Sequence, residues 1–360
     1  MSSYNHLTII NPQGKEYYSG VKDEIAAAYN LAAHSLKGEI VVTKDLSNLE
    51  RVINDYKDQS IGLVGIFSGD GGVMYVRTAI ENVWGYRPAY ALFPGGTQVN
   101  IQRTVGLKKS KTSITSYARY IAQKASLGNL DHATISIPSL DVNGKKGFNA
   151  GVGLVPKLLW MYYGRSAEQY AALERELRTV DPSEYLEAYE KILGQDQPER
   201  KVKDELTGLT GISKTIWKTV RGIRKAHSFE NYIFSTPIRG RIIVDGKEQS
   251  TKKPLGLYVS CYEEVNFGFS FLNPRPSPEA RAELDKFQVV APYGRPLDIA
   301  RQLPRVIAGK HLNQAAYFHA STLEVPSEKI IELDGEIILG QGFTIKSDGM
   351  VKIVSPLAER

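Results

Sequence analysis

At 360 residues, 42% hydrophobic and 23% charged, the chain can form two domains with their own cores and is too apolar and aromatic to be disordered. Its 45 lysines and arginines exceed its 39 acidic residues by +6, a mild bias toward phosphates, anionic lipid headgroups or nucleic acid. A lone cysteine, Cys261, excludes an internal disulfide framework and a multi-cysteine metal site. No apolar run approaches the roughly 20 residues that span a bilayer. Met1 to His6 lacks the basic and apolar stretches of a signal peptide, so a cytoplasmic location is expected.

Leu7 to Ile10 reads as a strand closed by the turn Asn11-Pro12-Gln13-Gly14. From Tyr18 to Leu36 the apolar residues Val21, Ile25, Ala28 and Ala32 recur at helical spacing, and Glu39 to Thr43 follows as a second strand. Ser47 with Glu50 three residues later predicts a capping box ahead of a helix with Leu49, Val52, Ile53 and Tyr56 on one face. Ile61 to Phe67 is apolar almost throughout, the pattern of a strand buried on both faces. Ser68-Gly69-Asp70-Gly71-Gly72 then opens a helix carrying Val73, Val76, Ile80 and Val83. Ala89 to Phe93 is the fourth strand, ending in Pro94-Gly95-Gly96-Thr97. This alternation predicts an α/β domain over residues 1–130 with a parallel sheet, whose ligands sit beyond the carboxyl ends of the strands.

Past residue 130 the pattern turns to short strands: Ala133 to Ile137, Arg241 to Val244, Leu255 to Cys261, Phe287 to Val290 and Ile330 to Leu333. Residues 131–360 are therefore expected to form a mainly antiparallel β-sandwich domain, with a helical insertion at about 156–228. Ser166 with Gln169 caps one helix of that insertion and Asp181-Pro182 opens the next. A third, about 212–225, sets Ile212, Ile216, Val220 and Ile223 against Lys214, Lys218, Arg221 and Lys225.

The glycine turns carry the chemistry. Two such turns at the ends of adjacent buried strands bring backbone N–H groups into one crevice, where the positive end of the following helix favours a polyphosphate. Asp70, inside the first turn, is placed to bind Mg²⁺ or to take a proton from an attacking hydroxyl. The alternative is that both turns are tight connections and no more. Neither the dinucleotide fingerprint nor a P-loop is present.

Five motifs together resemble the diacylglycerol kinase catalytic family, which includes bacterial lipid kinases and the sphingosine and ceramide kinases. They are Asn11 to Gly14, Ser68 to Gly71, Pro94 to Thr97, Asn149-Ala150-Gly151-Val152-Gly153, and Asp334-Gly335-Glu336, in the family's order. Gly342 to Pro356 is similar to the family's closing strands. The resemblance implies a two-domain kinase with ATP and Mg²⁺ in the cleft between an α/β and a β-sandwich domain, and a hydroxyl of a lipid or lipid-like alcohol as acceptor. It implies that Asn11, Ser68, Gly69, Gly71, Gly72, Gly95, Gly96, Thr97 and Arg103 serve the nucleotide. It makes Asp334 the base as in bacterial lipid kinases, with Glu336 near the metal, or Asp70 the base as in sphingosine kinases. Asp-Gly is also a common hairpin turn, and Asp245-Gly246 is read as nothing more.

The chain departs from the family at Gly72, where a threonine is usual, at Met74-Tyr75 for Asn-Glu, at Val99 with Asn100 one residue later, and at Val155 for an acidic residue. These departures sustain an alternative, a weakened or inactive relative that binds nucleotide or lipid as a regulatory or membrane-associated module. NAD kinase activity shares only the Gly-Asp-Gly turn. Among partners, an anionic membrane surface is expected through the basic helix 212–225, giving peripheral attachment; its other reading is a solvated helix face. No nucleic acid is expected, since no RNA motif accompanies the tyrosines, Tyr162-Tyr163 included. An edge strand in the β domain could support a homodimer. The six histidines show no metal-ligand spacing, and Cys261 is expected in a core.

Overall fold

A computed structural model describes residues 4–14, 17–96, 99–107, 111–194, 234–249, 253–261, 286–302 and 310–359. The basic helix at 212–225 and Thr97 lie outside them. The chain forms two compact units, one of residues 1–139, 144–147 and 348–360, the other of 140–143 and 148–347.

The first unit is built on parallel strands β1 (Tyr4–Ile10), β2 (Leu36–Val42), β3 (Leu63–Ser68) and β4 (Ala89–Pro94), in the order β2-β1-β3-β4. All six residues of β3 are buried, as an apolar run with paired neighbours on both edges requires. Helix α1 (Val21–Asn30) buries Val21, Ile25, Ala28 and Tyr29, and is shorter than the predicted span to Leu36 because β2 already begins there. Helix α2 (Leu46–Asp55) is capped by Asp45, whose carboxylate accepts from the Asn48 N–H at 2.7 Å. Ser47, the predicted cap, instead donates to Asp45, because a carboxylate two residues earlier is the stronger acceptor. Helix α3 (Asp70–Trp84) buries Val73, Val76 and Ile80 as predicted and stops at Gly85, whose φ of 69° suits a residue without Cβ. The Trp84 indole N–H donates to the Ile53 carbonyl at 2.9 Å and fastens α3 to α2.

Two helices follow β4, the five-residue α4 (Asn100–Thr104) and α5 (Lys111–Ser126), the latter burying Ile114, Tyr117, Ala118, Ile121 and Ala122 at helical spacing. The C-terminus returns to this unit: Ile353 pairs in parallel with Tyr90 of β4, and the Tyr117 hydroxyl donates to the Val354 carbonyl at 2.6 Å. Asp348 anchors the returning segment. It accepts from Arg87 at 2.6 Å, Lys146 at 2.8 Å and Ser139 at 3.2 Å, while Arg87 also pairs with Glu81 at 2.7 Å. Removing one member strands several desolvated charges, so Asp348→Ala should lower the unfolding free energy by about 3 kcal/mol in denaturant titration. A change within 0.5 kcal/mol would mean that the cluster is solvated.

The second unit contains a six-stranded antiparallel sheet of β7 (Asn149–Gly153), β10 (Gly256–Ser260), β11 (Phe287–Pro292), β12 (Ala315–Ala320), β14 (Ile330–Leu333) and β15 (Glu336–Leu339), in the order β12-β11-β10-β7-β14-β15. A separate antiparallel set joins β13 (Thr322–Val325) to residues 343–346 and to the hairpin β8 (Ile243–Val244) and β9 (Lys247–Glu248). Three helices follow β7: α6 (Leu154–Tyr162), α7 (Ala167–Glu176) and α8 (Tyr185–Gly194). The capping box at Ser166 and Gln169 forms as predicted. Trp160, Tyr170, Leu173, Leu177 and Tyr185 pack with Ile330 of β14, and Ile337 and Leu339 of β15 close over them. Cys261 is half-buried just past β10, where the chain leaves the sheet, and not in a core. The rings of His311 and Tyr317 stack 4.4 Å apart.

Candidate functional site

Three turns meet at the carboxyl ends of β1, β3 and β4. The Asn11 N–H donates to the Phe67 carbonyl at 3.0 Å, and its side-chain amide reaches the Ser68 hydroxyl at 3.5 Å. Gly95 donates its N–H to the Ser68 carbonyl at 3.0 Å. The backbones are so close that a Cβ on Gly14 would sit 2.5 Å from the Gly95 carbonyl oxygen, and one on Gly95 would sit 2.8 Å from the Phe67 ring. The glycines therefore let the turns converge. Asn11 also accepts from the Gln13 N–H at 3.0 Å, so it makes an Asx turn as well as facing Ser68. Gly69 precedes α3 in extended conformation, and Gly71 and Gly96 are buried while Gly72 is half-buried.

Asp70 occupies the first position of α3 and is 2% exposed. One carboxylate oxygen accepts from the Asn100 N–H at 3.0 Å and from the Asn100 side-chain amide at 2.8 Å. Val99, which precedes α4, has no capping side chain, so the Asp70 carboxylate serves as the cap and lies at the N-termini of two helices. Its other oxygen has no hydrogen-bond partner among the described residues. Burial pushes the carboxyl up to about 6, against the Asn100 and Ile101 N–H groups, the Asn100 amide and the Arg103 charge. Arg103 itself is exposed at the end of α4. Gln102, fully buried, donates to the Ser68 carbonyl at 3.2 Å.

Position 72 explains one departure from the family pattern. A Cβ there would lie 1.8 Å from the Ser68 hydroxyl oxygen. Serine at 68 thus fills the space that a threonine at 72 would enter, and the loop keeps a hydroxyl from the other side. Asn100, one residue past Val99, donates its side-chain amide to Asp70.

Beside these turns lies a cavity of about 90 Å³ whose wall includes Asn11, Thr43, Lys44, Ser68, Gly72 and Tyr75. Thr43 and Lys44 escape the motif reading because no glycine marks them; their signal is position, directly after β2, where strand ends of a parallel sheet meet ligands. The groups present suit a nucleotide: first-turn N–H groups of α3, which have no acceptor inside the helix, the hydroxyls of Thr43, Ser68 and Tyr75, and a lysine. No group of three or more His, Cys, Asp or Glu side chains gathers among the described residues. Mg²⁺ fits such a site only as it commonly does, on one or two carboxylates with phosphate oxygens completing the shell.

In the second unit Asp334 and Gly335 form the turn between β14 and β15, with φ of 48° and 87°. The Asp334 carboxylate is buried and accepts from the Phe148 N–H at 3.1 Å and the Asn149 N–H at 2.9 Å. Asp245-Gly246 has the same geometry, φ of 48° and 76°, with Asp245 accepting from the N–H groups of Ser321 and Thr322 at 2.9 and 2.8 Å. Both carboxylates tie a hairpin turn to the neighbouring strand. Asn149 also accepts from the Ser260 hydroxyl at 2.6 Å. Val155, where the family has an acid, lies against Gly151, on which a Cβ would come within 2.2 Å of its side chain. Glu336, the first residue of β15, is half-buried; burial raises its carboxyl above the usual range and the Arg165 charge opposes this. The Tyr163 hydroxyl donates to the Gly335 carbonyl at 2.7 Å.

Residues 5–130 match the model of a family described as the diacylglycerol kinase catalytic domain. The resemblance read from the motifs is thus borne out over that stretch. No curated protein matches the chain in sequence. Among solved structures, one from Bacillus anthracis str. Sterne, provisionally assigned as a diacylglycerol kinase, superposes with a TM-score of 0.64 at 15% identity, covering 99% of both chains. A second from that organism, described as a diacylglycerol kinase, gives 0.58 at 15% identity over 98% of both. A third, again provisionally assigned, gives 0.62 at 16% over 99% of both. At such identities the likeness establishes the fold: an α/β unit with a parallel sheet followed by a mainly antiparallel β unit. Among the described residues no helix is long and apolar enough to cross a membrane.

Proposed function

We propose that the chain is an ATP-dependent kinase acting on a hydroxyl of a lipid or lipid-like alcohol, of the diacylglycerol or sphingoid type. The observation that carries this reading is the convergence of three glycine turns beside Asp70, a buried acid with one unengaged oxygen at two helix N-termini. The family match and the shared fold support it. ATP would supply the transferable phosphoryl group, and Mg²⁺ the charge that offsets its oxygens.

The chain's own part is positioning. N–H groups from Gly69 to Gly72 cradle the phosphates, with the Gly95-Gly96 turn held against them by the Gly95 N–H on the Ser68 carbonyl, Asn11, Ser68, Thr43 and Lys44 beside them, Thr97 next in sequence, and Arg103 adding positive charge. Asp70 takes the proton of the attacking hydroxyl; its free oxygen serves one partner at a time, and a pKa of about 6 suits a base working near neutrality. Glu336 is the carboxylate left for the metal, and Asp334 holds the turn that carries it. In the competing assignment Asp334 is the base and Asp70 meets the metal. A non-catalytic module draws on Gly72, Tyr75, Val99 and Val155, but Ser68 keeps a hydroxyl beside Gly72 and Asn100 an amide beside Val99.

The deciding experiment incubates the purified chain with labelled ATP, Mg²⁺ and a lipid panel including diacylglycerol and a sphingoid base. Label should enter at least one alcohol, be lost in Asp70→Asn, and survive at reduced rate in Asp334→Asn. The reverse order would move the base to Asp334. Nucleotide binding without turnover across the panel would establish the non-catalytic module.

A further inference from the structure

The connection from α6 to α7 reaches the turn that carries the acids of the second unit. Tyr163, the residue after α6, donates its hydroxyl to the carbonyl of Gly335, the residue between Asp334 and Glu336. Two residues later the Arg165 guanidinium lies 4.6 Å from the Trp160 ring, 5.8 Å from Tyr163 and 5.5 Å from Tyr189, and donates to the Tyr189 hydroxyl at 2.7 Å. A guanidinium among three rings loses its freedom to swing, so the positive charge that acts on the Glu336 carboxyl is held in place. The strands on either side of the turn are held by the same helices, since Ile330, Ile337 and Leu339 pack into their apolar cluster. One block therefore grips the turn at its backbone, its charge and its flanks.

We propose that Tyr163 is a positioning residue for Glu336: by pinning the Gly335 carbonyl it fixes the direction in which the next side chain leaves the turn, and Arg165 in its aromatic cage supports the same placement. The proposal rests on the reading of Glu336 as the metal-side carboxylate. An isolated hairpin turn of this kind rocks about its flanking strands, and a displacement of about 1 Å at a reacting group can cost on the order of 100-fold in rate. Here the Asp334 carboxylate already ties the turn to Phe148 and Asn149, and the Tyr163 hydroxyl adds a second tie at the Gly335 carbonyl, on the Glu336 side of the turn.

The test uses the full chain and compares Tyr163→Phe, Glu336→Gln and the control Tyr170→Phe, a buried tyrosine of the same helical block. Turnover and KM for ATP are measured at saturating Mg²⁺ with the best acceptor of the panel, alongside the unfolding midpoint. Tyr163→Phe should lower kcat by roughly 10- to 100-fold with KM for ATP within about twofold and the midpoint nearly unchanged. Tyr170→Phe should alter the midpoint and spare kcat. If Glu336→Gln is inactive while Tyr163→Phe turns over like wild type, the positioning role is overturned and the function reading stands. If Glu336→Gln keeps wild-type turnover, the metal-side assignment fails and the proposal with it. Equal losses of kcat in the two tyrosine variants would mark Tyr163 as structural.

Discussion

Asp70→Asn is expected to lose phosphoryl transfer by about 10²- to 10⁴-fold and to unfold later than wild type at pH 7. Both effects follow from one buried carboxyl. Folding raises the Asp70 pKa to about 6 from an ordinary value near 3.8, so the folded chain holds its proton more tightly than the unfolded one. Below the unfolded value both states are protonated and the site costs nothing. As pH rises from about 4 to about 6 the unfolded state ionises first and the folded state loses stability, and above about 6 the full penalty stands. Asparagine keeps an oxygen for the Asn100 donors and carries no charge, so it should recover roughly 1–3 kcal/mol at pH 7 and little near pH 4. The activity of the wild type should rise with pH through the same region, since the ionised acid is the base. Denaturant titrations at pH 4.5 and 7, beside a rate profile, check both signs. A variant destabilised at pH 7 would show that Asp70 is held by interactions that need its charge.

The second large effect lies in the same loop. Gly72→Thr alone should cost about 2–3 kcal/mol and abolish nucleotide binding, because its Cβ would meet the Ser68 hydroxyl at 1.8 Å. The pair Ser68→Gly with Gly72→Thr vacates that space and returns a hydroxyl from the position where the family carries it. Its stability should come back to within about 1 kcal/mol of wild type and its turnover to within about tenfold, a strongly non-additive cycle. Ser68→Gly alone should fold and bind ATP weakly, having lost its only loop hydroxyl. Additive losses in the double variant would mean that the two positions do not share one space.

Much of the first unit is legible in the sequence because its signals are local. The apolar run of β3 and the Gly69-Asp70-Gly71 turn announce a buried strand feeding a helix, and the structure places them so. The cap of α2 was misplaced by two residues, since Ser47 and Asp45 both fit the composition of a cap and only geometry ranks them. Thr43 and Lys44 were missed because their relevance arises from the order β2-β1-β3, which no local pattern encodes. At Asp334 the sequence offered two readings of one dipeptide, hairpin turn and functional acid. The structure gives it the turn conformation and the same backbone contacts as Asp245, so composition alone could never have separated the two. Tyr163 was hidden for a further reason: its partner is a backbone carbonyl 172 residues away. The swap between Ser68 and Gly72 reads as a loss in one dimension and as an exchange in three.

On the proposed reading, the turns at 11–14, 68–72 and 95–96 form one phosphate cradle. Amide hydrogen exchange of the full chain with and without MgATP tests it most directly. Added MgATP should slow exchange in all three turns together and in the first turn of α3, with the effect removed by Gly72→Thr and retained by Asp70→Asn. Binding that protects other segments while these three turns exchange at their free rates would contradict it.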